Sequence, residues 1–224
     1  MNRRHAGLLC TDPRPGALVI AFGVATATFI ALVSAVLLYR PFVLLDRLLS
    51  ATIRSVDMPA FDVLLRLVTD IGNLWFAASA TAVLVVVLLF VHRPAEAAFA
   101  VAGVGGGVVL GDTLRGLIER ARPGLEVARI PIPDTYSFPS GHALAAFLFF
   151  GVLFFVVALE ARSFATRAWT LAACVTIAAL VALSRVYLGV HWFGDVVASW
   201  IVGSGWLTLC AAGYFAFTSG EKPR

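Results

Sequence analysis

Charged residues are scarce in this sequence of 224 residues. Asp, Glu, Lys and Arg make up 13% of it, whereas hydrophobic residues make up 60%. Water-soluble domains contain about 25% charged residues. The apolar residues also form long runs instead of recurring at helical spacing, which is typical of membrane-spanning helices. The composition therefore excludes an ordinary soluble domain and indicates a membrane protein.

Lysine and cysteine are also scarce. Lys222 is the single lysine beside 16 arginines, and the arginines are scattered among apolar segments. Because no basic stripe with interleaved aromatic residues is present, we expect no nucleic-acid partner. Cys10, Cys174 and Cys210 lack metal-binding and redox spacing, so we interpret them as small hydrophobic residues.

No polar linker, low-complexity segment or repeat divides the chain. We therefore expect one membrane domain over residues 1–224, with a basic tail at 1–16 and a C-terminal tail at 218–224. The apolar run that follows the basic tail is too long for the core of a cleaved signal peptide, which favours a retained first span.

Six apolar segments are long enough to cross the hydrocarbon core of a bilayer, which takes about 20 residues of helix. The predicted spans are 17–39, 74–91, 95–118, 140–159, 168–188 and 194–217. Residues 40–73 alternate apolar and charged residues at helical spacing, which predicts one or two amphipathic helices at the membrane surface instead of an extra span. The predicted fold is thus an all-α, six-span bundle with amphipathic interfacial helices.

The distribution of basic residues favours one orientation. Eight lie on the side that carries the termini and nine on the other side. If Arg115, Arg122 and Arg185 have functional duties, the second number falls to six. Because cytoplasmic loops carry the excess of Lys and Arg, we expect cytoplasmic termini in an inner (plasma) membrane and a site that faces the periplasm or exterior.

Three polar clusters interrupt the apolar pattern. The first, "LRGLIERARPG", ends the third span, and the second, "FPSGHA", begins the fourth. The third, "SRVYLGVHWFGD", joins the last two spans. In a six-span chain these loops emerge on the same side, so we expect the clusters to meet there. Their candidate functional residues are Arg115, Arg122, Ser140, Gly141, His142, Arg185, His191 and Asp195.

The arginines and the start of the fourth span suit an anion. Arg115 and Arg122 are two helical turns apart, so both can face the same way. Guanidinium groups repel one another unless an anion lies between them, and their forked donors match phosphate oxygens. A helix that begins at Ser140 and Gly141 adds free N–H groups and a positive dipole end. Ser140 can also serve as the N-cap of that helix.

The two histidines suit nucleophilic and acid–base chemistry. If helical, His191 and Asp195 share a face, and the carboxylate can accept a hydrogen bond from one ring nitrogen and leave the other free as a nucleophile. His142 is suited to proton transfer near neutral pH. Arg185 does not share a face with His191 on a straight helix, but Gly189 gives the chain a place to turn.

Each feature alone also has a structural interpretation. Arginines at span ends commonly reach to lipid head groups, and a His–Asp pair four residues apart is often a local stabiliser. Together, ionisable groups that converge near a membrane core favour function. We interpret Asp112 as a partner of Arg115. We expect Glu119, Arg120 and Arg129 to be loop charges. Tyr136 and Phe138 could line a lipid entrance, but aromatic residues are common at membrane interfaces in any case.

The motifs R-x6-R-P at 115–123, P-S-G-H at 139–142 and S-R-x5-H-x3-D at 184–195 resemble, in order and spacing, the three-part signature of the type 2 phosphatidic acid phosphatase superfamily. That superfamily also includes glucose-6-phosphatase and the vanadium haloperoxidases. The one departure is Arg115, where the family usually has lysine. Arginine keeps the charge but adds a bulkier, forked head.

The resemblance implies a metal-independent lipid phosphatase without a cofactor. In the implied mechanism His191 attacks phosphorus and forms a phosphohistidine, Asp195 orients His191, and His142 protonates the leaving group and then activates water. The implied phosphate ligands are Arg115, Arg122, Arg185, Ser140 and the N–H of Gly141.

The implied substrate is a lipid phosphate or diphosphate in the bilayer: undecaprenyl diphosphate first, then phosphatidate or phosphatidylglycerol phosphate. A phosphotransferase with a lipid or sugar acceptor is the alternative, and an anion or lipid transporter that uses the arginines only for binding is another. A haloperoxidase is disfavoured, because those relatives are soluble. The sequence does not indicate an oligomeric state.

Overall fold

The computed structural model describes residues 15–56 and 58–220, and these residues form helices and loops without a β-strand. Most of the predicted basic tail at 1–16 lies outside the described residues, as do residues 221–224. The nine α-helices in the described ranges are α1 Pro15–Leu38, α2 Arg40–Arg54, α3 Pro59–Thr69, α4 Leu74–Phe90, α5 Pro94–Ala100, α6 Gly107–Ile118, α7 Gly141–Glu160, α8 Phe164–Tyr187 and α9 Phe193–Gly220.

The helical prediction is confirmed, with an adjusted count of spans. Five helical segments of the described chain are long and apolar enough to cross a membrane, one of them formed by α5 and α6 joined through the π-helical segment Val101–Gly106. The predicted second span corresponds to α4. Together with α3 and the 3₁₀ turn Asp70–Gly72 it forms a pair bent by 54°, which gives a sixth span if the pair is counted as one.

Helix α7 is the centre of the bundle. It packs against α4, α6, α8 and α9, while α1 packs along α9. The glycine-rich stretch before the first polar cluster lets α6 approach α7 closely: a Cβ on Gly111 would lie 2.3 Å from a methyl carbon of Leu144. The core therefore holds α6 and α7 at a short distance, and their ends at the first two polar clusters stay close together.

The three polar clusters meet at one end of the bundle. The N–H of Ser140 donates to the carbonyl oxygen of Asp195 at 3.2 Å, and the hydroxyl of Ser199 lies 2.8 Å from the Ser140 carbonyl oxygen and 2.9 Å from that of Asp195. The start of α7 is thus bonded to the start of α9. The prediction that distant clusters converge at one surface is confirmed.

Gly189 makes the turn that follows α8. Its φ of +74° lies in the left-handed region, and a Cβ there would lie 2.0 Å from the carbonyl oxygen of Val127. The turn lets the N–H of His191 bond back to the carbonyl oxygen of Arg185 at 3.3 Å. Glycine is therefore needed at this position for conformation and for space.

We predict that Gly189→Ala lowers the free energy of unfolding by more than about 2 kcal/mol, because alanine is strained at this φ and collides with backbone. Thermal unfolding of the purified protein in detergent measures the loss. The matched control is Gly116→Ala, since a Cβ on that α6 residue meets no atom within 4 Å. Equal melting temperatures for the two variants would contradict the assignment.

Candidate active site

A cavity of about 210 Å³ lies where the clusters meet. It is bounded by the 3₁₀ turn before α4, the end of α6, the start of α7, the end of α8 and the segment before α9. Six of the eight predicted site residues line it: Arg115, Arg122, Gly141, His142, Arg185 and His191. Ser140 and Asp195 are buried and do not line the cavity.

His191 is held from both sides of its ring. Its Nδ1 lies 3.2 Å from Oδ2 of Asp195, and its Nε2 lies 3.0 Å from Nη1 of Arg122. A guanidinium can only donate, so Nε2 accepts and the proton of the neutral ring lies on Nδ1. His191 lies before α9, which begins at Phe193. The prediction that His191 and Asp195 share a helical face is therefore wrong. The pair nevertheless forms and leaves the Nε2 lone pair toward the cavity.

Burial lowers the pKa of His191 well below its ordinary value of 6.5, and the guanidinium groups of Arg185, Arg122 and Arg115 lower it further. The ring is therefore uncharged at neutral pH. An uncharged imidazole with an unprotonated Nε2 has the electronic state that a nucleophile requires, once the Arg122 donor turns away from that nitrogen.

Two buried donors at the site have no partner among the described side chains and backbone. They are the hydroxyl of Ser140 and Nε of Arg185. The other end of Arg185 is fixed, because its Nη1 donates to the Thr69 hydroxyl at 2.7 Å. Ser140 occupies the N-cap position of α7, but its side chain makes no capping bond, contrary to that prediction. Unpaired buried donors are costly unless a ligand satisfies them, and an anion would do so.

Arg115 and Arg122 reach the cavity from different elements. Arg115 is in the last turn of α6 and donates to Asp112 at 2.8 Å, which confirms that predicted pair. Helix α6 ends at Ile118, so the prediction that both arginines share a helical face is wrong. The loop carries Arg122 instead, and bonds to the carbonyl oxygens of Thr135 at 2.6 Å and Val190 at 2.8 Å orient it.

Three residues of the loop between α6 and α7 have other contacts than the sequence predicts. Arg120 and Arg129 are not free loop charges: Arg120 bonds Asp195, and Arg129 bonds the Tyr187 hydroxyl at 2.6 Å. Phe138 is fully buried and does not line a lipid entrance. Each contact joins segments far apart in the chain, so the local pattern carried no signal for it.

No group of three or more His, Cys, Asp or Glu side chains that could hold a metal ion occurs within the described part of the chain. The cations that face the cavity are Arg115, Arg122 and Arg185, and Asp112, which also lines it, pairs with Arg115. Guanidinium groups bind phosphate oxygens through paired N–H donors, so these residues can hold a phosphoryl group.

Comparisons with known proteins identify a family and two relatives. The family model described as the PAP2 superfamily matches residues 16–219. Over 107 residues the chain is 35% identical to an undecaprenyl-diphosphatase of Sulfolobus acidocaldarius, covering 45% of this chain and 46% of that protein. Over 97 residues it is 38% identical to phosphatidylglycerophosphatase B of Bacillus subtilis, covering 42% and 46%. The match thus spans about half the length of each relative.

Two solved structures share the fold. A transmembrane PAP2-type phosphatidylglycerolphosphate phosphatase from Bacillus subtilis has a TM-score of 0.76 at 23% identity and covers 93% of this chain and 97% of its own. LpxE from Aquifex aeolicus has a TM-score of 0.58 at 22% identity, with coverage of 77% and 95%. At these identities the likeness establishes the helical arrangement.

We predict that Arg122→Gln weakens the binding of inorganic phosphate about 10- to 100-fold, because a hydrogen bond to a charged group is worth about 1.5–3 kcal/mol. Isothermal titration of the purified protein with phosphate measures this. Arg66→Gln is the control, since Arg66 is 44% exposed and pairs with Asp62 on α3. Equal phosphate affinity of the wild type and Arg122→Gln would contradict the assignment.

The lowered pKa of His191 also predicts a pH dependence of stability. The unfolded chain binds this proton below about pH 6.5 while the folded chain does not, so the stabilisation is complete above pH 6.5 and falls as the pH drops. Between pH 7.5 and 5.5 the wild type should lose about 1 kcal/mol more than His191→Gln. Denaturant titrations of both proteins at the two pH values measure the difference, and parallel losses would refute it.

Proposed function

The chain belongs to the PAP2 superfamily, and from this premise we propose that it is an integral-membrane phosphatase for lipid phosphomonoesters or diphosphates that works through a phosphohistidine. The observation that carries the proposal is the cavity in which His142 and His191 lie with three arginines. A neutral nucleophile, a second imidazole and several fixed cations in one enclosed space suit phosphoryl transfer, which depends on positioning and electrostatics.

In the first step of the proposed reaction, Nε2 of His191 attacks phosphorus and the bond from phosphorus to the leaving oxygen breaks. His142 enters this step protonated, with its charge stabilised by the bound substrate phosphate, and gives the proton to that oxygen, so the product leaves as an alcohol or a lipid monophosphate. Before this attack, Arg122 turns its Nη1 donor from the His191 nitrogen to a phosphate oxygen, which frees the Nε2 lone pair. Asp195 stabilises the positive charge that develops on the His191 ring.

In the second step, water attacks phosphorus while His142 accepts one of its protons. The bond between phosphorus and Nε2 breaks, inorganic phosphate forms, and His191 returns to its neutral state with the proton on Nδ1. Arg115, Arg122 and Arg185 hold the non-bridging oxygens in both steps, and the hydroxyl of Ser140 and the N–H of Gly141 add donors.

The proposed substrate is a lipid of the bilayer in which the enzyme lies. The cavity is at the ends of membrane-spanning helices, where a head group is within reach and the hydrocarbon chains stay in the membrane. The matched relatives carry the names undecaprenyl-diphosphatase and phosphatidylglycerophosphatase B. We propose undecaprenyl diphosphate as the first candidate, ahead of phosphatidate and phosphatidylglycerol phosphate.

We also propose that the termini are cytoplasmic and that the cavity faces the outer side of the plasma membrane. The distribution of basic residues outside the site supports this orientation. Labelling single cysteines in intact cells with a membrane-impermeant maleimide tests it, since a cysteine at exposed Leu125 would react in whole cells.

The activity is tested by phosphate release from a panel of lipid phosphates and diphosphates, in detergent micelles with EDTA. We expect turnover by the wild type and no release by His191→Ala or His142→Ala. A phosphorylated histidine should be trapped in the wild type by acid quench. If the wild type binds phosphate but releases none from any lipid, or if turnover requires added Mg²⁺, the proposal is wrong.

A further inference from the structure

Helix α2 has an inverted amphipathic character. Its leucines at positions 44, 45 and 48 are exposed, whereas Asp46 and Ser50 are buried against the bundle. In a membrane protein, apolar side chains can face lipid and polar side chains must find partners inside. The buried carboxylate of α2 is therefore a feature that requires an explanation.

Both buried polar residues bond the first turn of α9. Oδ1 of Asp46 accepts from the N–H of Gly194 at 2.7 Å, and the hydroxyl of Ser50 accepts from the N–H of Phe193 at 2.9 Å. The first N–H groups of a helix lack partners within the helix. Asp46 and Ser50 of α2 therefore cap two of these groups at the start of α9. The start of α9, which carries Asp195, is thus fixed to α2.

Arg120 joins the same carboxylate of α2 to the active site. Its Nη2 donates to Oδ2 of Asp46 at 2.5 Å and its Nη1 donates to Oδ1 of Asp195 at 2.6 Å. The Arg120 side chain is only 10% exposed. Because a guanidinium has a planar fork of donors, it can hold two carboxylates in fixed relative positions, which a lysine ammonium cannot do as well.

We propose that Asp46 and Arg120 are positioning residues for the nucleophile, acting through Asp195. Arg120 occupies Oδ1 of Asp195, so Oδ2 is left for Nδ1 of His191 and the N–H of Trp192, which lie at 3.2 and 3.0 Å. Asp46 in turn holds Arg120 in place. This inference rests on the phosphatase function proposed above.

The physical basis is the cost of an ionised carboxylate in a buried site. Without Arg120, Asp195 keeps its charge less readily and its carboxylate can rotate away from His191. The charged or titratable groups around Asp195 are Arg120 itself, His191, Asp46 behind Arg120, and Arg122 on the far side of the His191 ring. Of these, Arg120 is the one cation bonded directly to Asp195.

The first test compares Arg120→Gln with Arg120→Lys and with Arg129→Gln. Arg129 is a matched control, because it lies on the same loop and bonds Tyr187 and the backbone of α2 without contacting Asp195. We expect Arg120→Gln to lower kcat about 10- to 100-fold with little change in KM, since a small displacement of a reacting group costs on this order. Arg120→Lys should recover part of the loss, and Arg129→Gln should keep a kcat close to that of the wild type.

Two further readouts separate positioning from general damage. The acid limb of the kcat profile should move to higher pH in Arg120→Gln, because the uncompensated carboxylate takes up a proton sooner, and it should not move in Arg129→Gln. Rapid-quench measurements should show slower formation of the phosphohistidine in Arg120→Gln. An unshifted profile, or a defect equal to that of Arg129→Gln, would overturn the proposal.

The second test uses Asp46→Asn, which retains an oxygen for the N–H of Gly194 but loses the ion pair with Arg120. We expect a smaller loss of kcat than in Arg120→Gln, and no additional loss when the two changes are combined, because Asp46 acts through Arg120. Losses of kcat that multiply in the double variant would contradict the proposal that Asp46 acts through Arg120. This variant also keeps the inference testable if Arg120→Gln does not fold, which gel filtration and thermal unfolding reveal.

The activity of the wild type separates the two proposals. A wild-type protein without lipid phosphatase activity refutes the function. An active wild type together with fully active Arg120→Gln and Asp46→Asn variants refutes only the positioning roles.

Discussion

The hydrogen bonds of Asp195 are the interactions on which the rest of the site depends. Its carboxylate bonds His191, the N–H of Trp192 and Arg120, and its carbonyl oxygen bonds the N–H of Ser140. One residue therefore joins all three polar clusters. The close packing of α6 on α7 and the turn at Gly189 bring these segments near enough for the bonds to form.

The hydrogen bonds of Asp195 are important because the residue is buried. In the interior of a membrane protein, water is not available to satisfy polar groups, so each buried donor or acceptor needs a partner in the protein or in a ligand. Asp195 and Asp46 find that partner in Arg120. The hydroxyl of Ser140 and Nε of Arg185 remain without one among the described residues, and they lie at the cavity end of the bundle. The same constraint explains the bonds among Asp46, Arg120 and Asp195, and it distinguishes the two donors that lack a partner in the described part of the protein.

Helix α2 connects the outer surface of the bundle to the site around His191. Helix α2 exposes its leucines on the outside of the bundle and turns Asp46 toward the start of α9. Through Arg120, the same Asp46 also reaches the carboxylate of Asp195. The position of α2 is therefore part of the geometry around His191, although this helix contributes no residue to the cavity lining.

The sequence by itself determined the membrane class, the helical fold and the arginines and histidines that line the cavity. Long apolar runs specify the spans, and the polar loops emerge on one side because two spans lie between them. Only the tertiary structure decided how those residues are held. Arg122 reaches the cavity from a loop instead of a helix, and Arg120 pairs with Asp46, 74 residues away. A contact between distant segments depends on how the helices pack. The local sequence around either residue therefore does not predict its partner.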